Sequence, residues 1–334
     1  MLIHLRLFRL CIALLALGCT VPAHADWYKD EQAIMGTSIV AEVWGSDADK
    51  AHAGIDAVME EMRRIDREMS PFKEESELSR VNREAADHPV KISRELFDLI
   101  DRSLYFSRIS GGAFDITFSS VGYMYDYRAG IAPTDAQIKQ ALPGINYRHL
   151  VLDRTDSTIK FLHKGTRIDL GGIAKGYAVD NCIRILSDMG FRQALVTAGG
   201  DSRILGDRGN GKPWMTGIRD PRKGEGESAV VIPLTDAAIS TSGDYERYFI
   251  RDGVRYHHIL NPKTGKSVKE TRSATVIGPD ATTTDALSTT LFVLGWKKAM
   301  KLVETLPGID AVIIDGDGNM HSSPGLAPPT GPGG

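Results

Sequence analysis

Apolar residues at Ile55, Val58, Met62, Ile65 and Met69 step by three and four, which puts them on one face of a helix. Ser70-Pro71 ends that pattern, because the residue before a proline is pushed out of the helical region. A second helix is predicted from Ser93 to Ile109, stopped by Gly111-Gly112. Residues 133–146 suggest a short helix and a surface loop. From Val151 onward β-type segments dominate, around 158–162, 194–198 and 230–234. Segments 245–250 and 254–260 flank Arg251-Asp252-Gly253, which reads as a hairpin. Thr282-Thr283-Thr284 offers capping hydroxyls for a helix from about Asp285 to Leu294. Another helix, Lys297 to Leu306, leads into a strand at 311–314. With no internal repeat and no polar linker, this order argues for a single compact α+β unit, one- or two-lobed.

The N-terminus breaks the pattern. MLIHLRLFR carries Arg6 and Arg9, LCIALLALG is apolar, and Ala23-His24-Ala25 supplies small residues where an export signal is cleaved. This divides the chain into a signal peptide at 1–25, one domain at 26–322 and a disordered tail at 323–334, and it places the mature protein in the periplasm. Leu17-Gly18-Cys19 also admits a lipoprotein signal, although Ala16 stands where such signals usually have Leu. Of the 3 cysteines only Cys182 lies in the mature chain, so no intrachain disulfide is available. Its apolar neighbours Val179, Ile183 and Leu186 make it a packed helix residue. The 334 residues are 42% hydrophobic with a net charge of -3, which gives a nucleic-acid partner no electrostatic support.

Six short stretches could carry chemistry. In IDLGGIAKGYAVD, from Ile168 to Asp180, Gly171-Gly172 falls at a strand-to-helix turn with Lys175 in the first helical turn. Free N–H groups there attract an anion, while the plainer reading is a tight turn with a solvated lysine. In TTTDALSTTLFVLG, Asp285 and Thr289 are four apart and share a helix face. That pair suits an oxygen-seeking cation such as Mg²⁺, or Asp285 serves only as a favourable first-turn charge. In HHILNPKTG, His258 ends an apolar strand, where it is either a proton acceptor or a structural histidine. GGAFDITFSSVG offers Phe114 as an aromatic face and Asp115 as a carboxylate. Gly199-Gly200-Asp201 and Ser242-Gly243-Asp244 each join glycine to an acid at a strand end. Together the set suits a pyrophosphate bound through a cation.

Taken in order, MGT at 35–37, SELSRVN at 76–82, GGAFD at 111–115, DLGGIAKGYAVD, AGGD, SGDYERYF, HHILNPKTG and DALSTTLFVLG make the chain resemble the ApbE family, the FAD:protein FMN transferases. The resemblance spans nearly all of the mature chain. It implies an exported, Mg²⁺-dependent enzyme with FAD as substrate, and a compact two-lobed mixed-sheet α+β fold with flanking helices, T-fold-like. It implies FAD contacts at Met35, Phe72, Ala113, Phe114, Asp115, Asp169, Lys175 and Ile259. Mg²⁺ would be held by Asp285 and Thr289, with carbonyl oxygens near Gly172 and Ser288. The candidate base is His258, with Asp201 or Asp244 nearby. Three positions depart from the usual pattern: Asn261 for Asp, Ser202 for an aliphatic residue, and Ser288 for Ala.

The implied reaction attaches FMN to a Thr of a target protein through a phosphoester and releases AMP. The implied acceptor class is a membrane redox subunit. Two other functions use the same motifs: an FAD pyrophosphatase yielding FMN and AMP, and a non-catalytic flavin-binding carrier.

Overall fold

The computed structural model describes residues 25–224 and 226–326. The expected export signal, with Cys19 in it, falls on residues 1–24 and so lies outside the described residues, as do residues 327–334 of the expected tail.

Eight strands form one sheet and follow one another across it in chain order. They are β1 (Asp26–Ile34), β2 (Thr37–Gly45), β3 (Ala194–Ala198), β4 (Asp201–Leu205), β5 (Ala238–Gly243), β6 (Thr271–Gly278), β7 (Asp310–Asp315) and β8 (Met320–Ser322). Every neighbouring pair is antiparallel. The α+β architecture expected from the sequence is therefore present, and its large sheet is antiparallel throughout.

Alternation decides what covers each face. Ile39, Ala41, Val43, Val196, Ala198, Ala274, Val276 and Ile313 point into the main core. Helices α1 (Ala48–Met69), α2 (Arg94–Ile109), α3 (Ala174–Asp188), α4 (Ala281–Leu294) and α5 (Trp296–Val303) contribute to that core. On the other face Ile204, Ile239, Ile277 and Val312 meet Trp214, Ile218, Ile232 and Leu234 from the hairpin Trp214–Arg219/Ser228–Leu234.

The long connections place the site. Antiparallel order brings the end of β1, the start of β2, the β3–β4 turn, the end of β5 and the start of β6 to one end of the sheet. Met35 and Gly36 make the β1–β2 turn with φ of 55° and 70°, the positive pair of a tight two-residue hairpin. Residues 244–270, between β5 and β6, fold over the same end and contain the hairpin Tyr248–Arg251/Val254–His257.

Two boundaries differ from the sequence reading. Helix α4 starts at Ala281, so the threonines expected to cap it lie inside it. Its N-cap is Asp280, whose side chain accepts from Thr283 N–H. Asp180 of α3 reaches across to accept from the N–H groups of Ala281 and Thr282, each at 2.8 Å. Carboxylates outcompete threonine hydroxyls for a helix N-terminus because they add charge to the hydrogen bond. The ordered chain also runs past 322. Ser323 is buried, donates through Oγ to Asp310 Oδ1 and receives the Ala311 N–H on Oγ, and a short 3-10 turn follows at Pro324–Leu326.

Candidate active site

The glycine-rich stretch and the acid–hydroxyl helix meet side by side. The Gly176 N–H donates to Asp285 Oδ2 at 3.0 Å. A Cβ on Gly176 would stand 2.1 Å from the Ala281 carbonyl oxygen, so only glycine lets α3 and α4 approach this closely. Four residues earlier on one segment and four later on the other, a Cβ on Gly172 would stand 3.3 Å from Thr289 Oγ1. The two segments therefore run antiparallel, and both residues of the expected oxygen pair, Asp285 and Thr289, face the glycine-rich stretch.

Lys175 joins this contact to the sheet. Its Nζ lies 2.9 Å from Asp201 Oδ2 and 3.5 Å from Asp285 Oδ2, and donates to the Gly171 carbonyl at 3.1 Å. Asp201 begins β4, and both it and Asp285 are buried. Burial pulls the Lys175 ammonium down, but the two carboxylates outweigh it and hold the group above its usual range. Burial, and then repulsion from Asp201, push Asp285 up to about 7. Two buried carboxylates thus share one ammonium, which leaves an excess of negative charge. Asp169 is half-buried beside them, with Oδ1 accepting from Gly171 N–H at 2.6 Å, and burial raises its carboxyl.

Hydroxyls line the other side. Ser242 Oγ lies 2.9 Å from Ser288 Oγ and 3.3 Å from Thr289 Oγ1, and Ser288 Oγ donates to the Asp285 carbonyl. Ser288 sits in the middle of α4, where its own carbonyl serves the helix ladder and has one lone pair left to offer. Among the described residues no three His, Cys, Asp or Glu side chains are arranged to hold a metal. A cation here would depend on Asp285, the Thr289 hydroxyl and carbonyl oxygens. That all-oxygen, incompletely neutralised set fits Mg²⁺, which keeps open positions for water and phosphate.

His258 is half-buried, yet its Nδ1 is shielded from solvent and has no hydrogen-bond partner. Burial, followed by the nearby positive charge of Arg247, lowers its pKa to about 3, so the ring is neutral. The backbone N–H of His258 donates to the Arg247 carbonyl at 3.1 Å.

Other residues expected at the site are, in this fold, paired, buried or freely exposed. Asp244 is not a free carboxylate: Arg222 holds both its oxygens, at 2.8 and 2.6 Å, and Arg255 lies 3.9 Å away. Asp115 is buried and spent on the chain itself, accepting from Thr117 N–H and Oγ1 and from Tyr147 N–H. Phe114 is a core residue: its ring edge backs Gly172, with Cε2 3.3 Å from a Cβ there, and no aromatic face is presented to solvent. Ala113 and Ile259 are buried too, and Met35 is half-buried against the main core. Phe72 stands 86% exposed in the turn after α1. The reason is common to most of these: periodicity and spacing do not say which partner from a distant element will claim a side chain.

Two contributors were missed. Ser242 and Arg247 both lie inside SGDYERYF, where only the glycine and the acid were weighed. The signal was present: a hydroxyl and a cation flank that acid, in a stretch of mixed charge following a strand.

Fold and site define an antiparallel α+β protein with an oxygen-lined, negatively charged centre built around Lys175. Within that class the chain belongs to the ApbE family, whose sequence profile matches residues 35–313. An FAD:protein FMN transferase of Treponema pallidum is 32% identical, with 92% of this chain and 90% of that protein aligned. A second FAD:protein FMN transferase, from Vibrio cholerae, is 30% identical over 89% of this chain and 90% of its own length. Among solved structures, the ApbE protein of Thermotoga maritima superposes with a TM-score of 0.83 at 35% identity, covering 90% of this chain and 98% of that one. The flavin transferase ApbE of Vibrio cholerae superposes at 0.80 with 26% identity, covering the same shares.

Proposed function

We propose that this chain is an FAD:protein FMN transferase that moves FMN from FAD onto a threonine hydroxyl of an acceptor protein and releases AMP. The observation that carries the reading is the Asp201–Lys175–Asp285 cluster, assembled from three distant segments beside Thr289. Family membership and the names of the relatives support the same reaction.

A bound Mg²⁺ would offset negative charge on the pyrophosphate oxygens. Asp285 and Thr289 would hold it, with the Gly172 and Ser288 carbonyls available. Lys175 would add a positive charge next to the transferring phosphoryl group, held in place by the two carboxylates. The acceptor oxygen forms a bond to the flavin-side phosphorus as the bond from that phosphorus to the bridging oxygen breaks, and AMP leaves with the bridging oxygen. The hydroxyl proton goes to His258. Its Nδ1, shielded from solvent, has no partner in the fold, and of the two causes that lower its pKa, burial and then the Arg247 charge, the arriving pyrophosphate would offset the second. Asp244 is removed as a base by its pairing with Arg222.

We further propose that the reaction takes place in the periplasm on exported membrane redox subunits. The support is the order of charge, apolar core and small residues at 1–25. Incubation of the chain with FAD, Mg²⁺ and such a subunit separates the readings. Covalent flavin on the subunit supports transfer. FMN and AMP without an adduct would identify a pyrophosphatase, and FAD left intact would identify a carrier.

A further inference from the structure

Arg247 lies between β5 and the hairpin strand Tyr248–Arg251 and is exposed. No carboxylate pairs with its guanidinium among the described residues, whereas Asp244, three positions earlier, is already taken by Arg222 and Arg255. Its position is set from two sides. Its carbonyl accepts the His258 N–H at 3.1 Å, and its guanidinium lies 3.6 Å from where a Cβ on Gly36 would stand, against the β1–β2 turn. Thr37, next to Gly36, packs its Oγ1 2.6 Å from where a Cβ on Gly199 would stand, in the turn that leads to Asp201, so the guanidinium sits at the same end of the sheet as the cluster. Lys175 is matched by Asp201 and Asp285, which leaves the Arg247 guanidinium as the cation of this neighbourhood without an anion, and that charge also disfavours a proton on the His258 ring. An anion with several oxygens would match it on entering.

We infer that Arg247 binds the pyrophosphate of the dinucleotide substrate, complementing the Asp201–Lys175–Asp285 cluster. This deepens the proposed flavin transfer and rests on it. A guanidinium suits the task because its planar fork gives two parallel hydrogen bonds to phosphate oxygens, which an ammonium cannot. The residue thereby favours FAD over flavins without phosphate.

The test is FAD binding to the full chain with Mg²⁺ and no acceptor, read by flavin fluorescence, with inorganic pyrophosphate as competitor. Arg247→Ala is expected to weaken FAD binding by about 10- to 100-fold, the range of a charge-assisted hydrogen bond. Its melting temperature should stay at that of the wild type, and pyrophosphate should compete correspondingly less well. Arg247→Lys should recover only part of the affinity, and it also serves if the alanine variant does not fold. Unchanged FAD affinity in a folded variant overturns the proposal and leaves the flavin-transfer reading standing. Reduced FAD affinity with undiminished pyrophosphate competition overturns it as well. A wild-type chain that does not bind FAD overturns both.

Discussion

The imidazole of His258 stays neutral in the folded chain because burial and the Arg247 charge both disfavour its second proton, which lowers its pKa from 6.5 to about 3. In that window the unfolded chain binds the extra proton and the folded chain does not. His258 therefore costs stability as pH falls through it, by up to about 1.4 kcal/mol per pH unit. His258→Gln lacks this component. Denaturant unfolding between about pH 7 and pH 5 should show the wild type losing stability faster than the variant. Parallel losses would mean that the ring is not shielded as described. A histidine at a strand end was legible in the sequence. Its charge state was not, since that depends on a guanidinium eleven positions earlier and on the fold that covers both. Asp115 and Asp244 teach the same lesson in reverse: both read as available carboxylates, and the fold gives them to Thr117 and Tyr147 and to Arg222.

At the scale of elements, the contact between α3 and α4 joins the two halves of the site. Gly176→Ala would drive a methyl group into the Ala281 carbonyl and the Asp285 Cβ, 2.1 and 2.8 Å from the new atom. Neither is the end of a flexible side chain, so the helices must separate. The expected cost is about 1–3 kcal/mol of stability, seen as a lower denaturation midpoint, together with a fall in flavin transfer as Lys175 moves away from Asp285. A variant as stable and active as the wild type would show that close approach here is unnecessary. The helices themselves were readable: the apolar steps of α1, and the two-glycine turn before α3, follow from local spacing. The start of α4 was misread because the local cap is Asp280, one residue before the helix, and Asp180 of α3 holds the next two N–H groups from a distance no local pattern contains.

Across the whole molecule, the antiparallel order of the sheet gathers the site at one end from segments up to about the length of the domain apart. Strand β1 carries polar residues along most of its length, which hides its alternation, whereas β2 does alternate, with Ile39, Ala41 and Val43 buried, and its signal went unread. The charge of the assembled site has a global consequence. Asp285 is pushed up to about 7, so the metal-free fold loses stability as pH rises through that value and the buried carboxyl is forced to ionise. Mg²⁺ binds the ionised form, so the rise in melting temperature on adding Mg²⁺ should be larger at about pH 8 than at about pH 6. An equal rise at both would argue against Asp285 as a ligand.

The central claim is that the Asp285-bearing cluster transfers flavin to protein. Its most direct test is peptide mass spectrometry of an exported membrane redox subunit co-expressed with the wild-type chain or with Asp285→Asn, each checked for folding. The wild type should leave an FMN-sized adduct on one threonine, and the variant should reduce that adduct at least about 100-fold while remaining folded. Equal flavin adduct from both proteins would contradict the account.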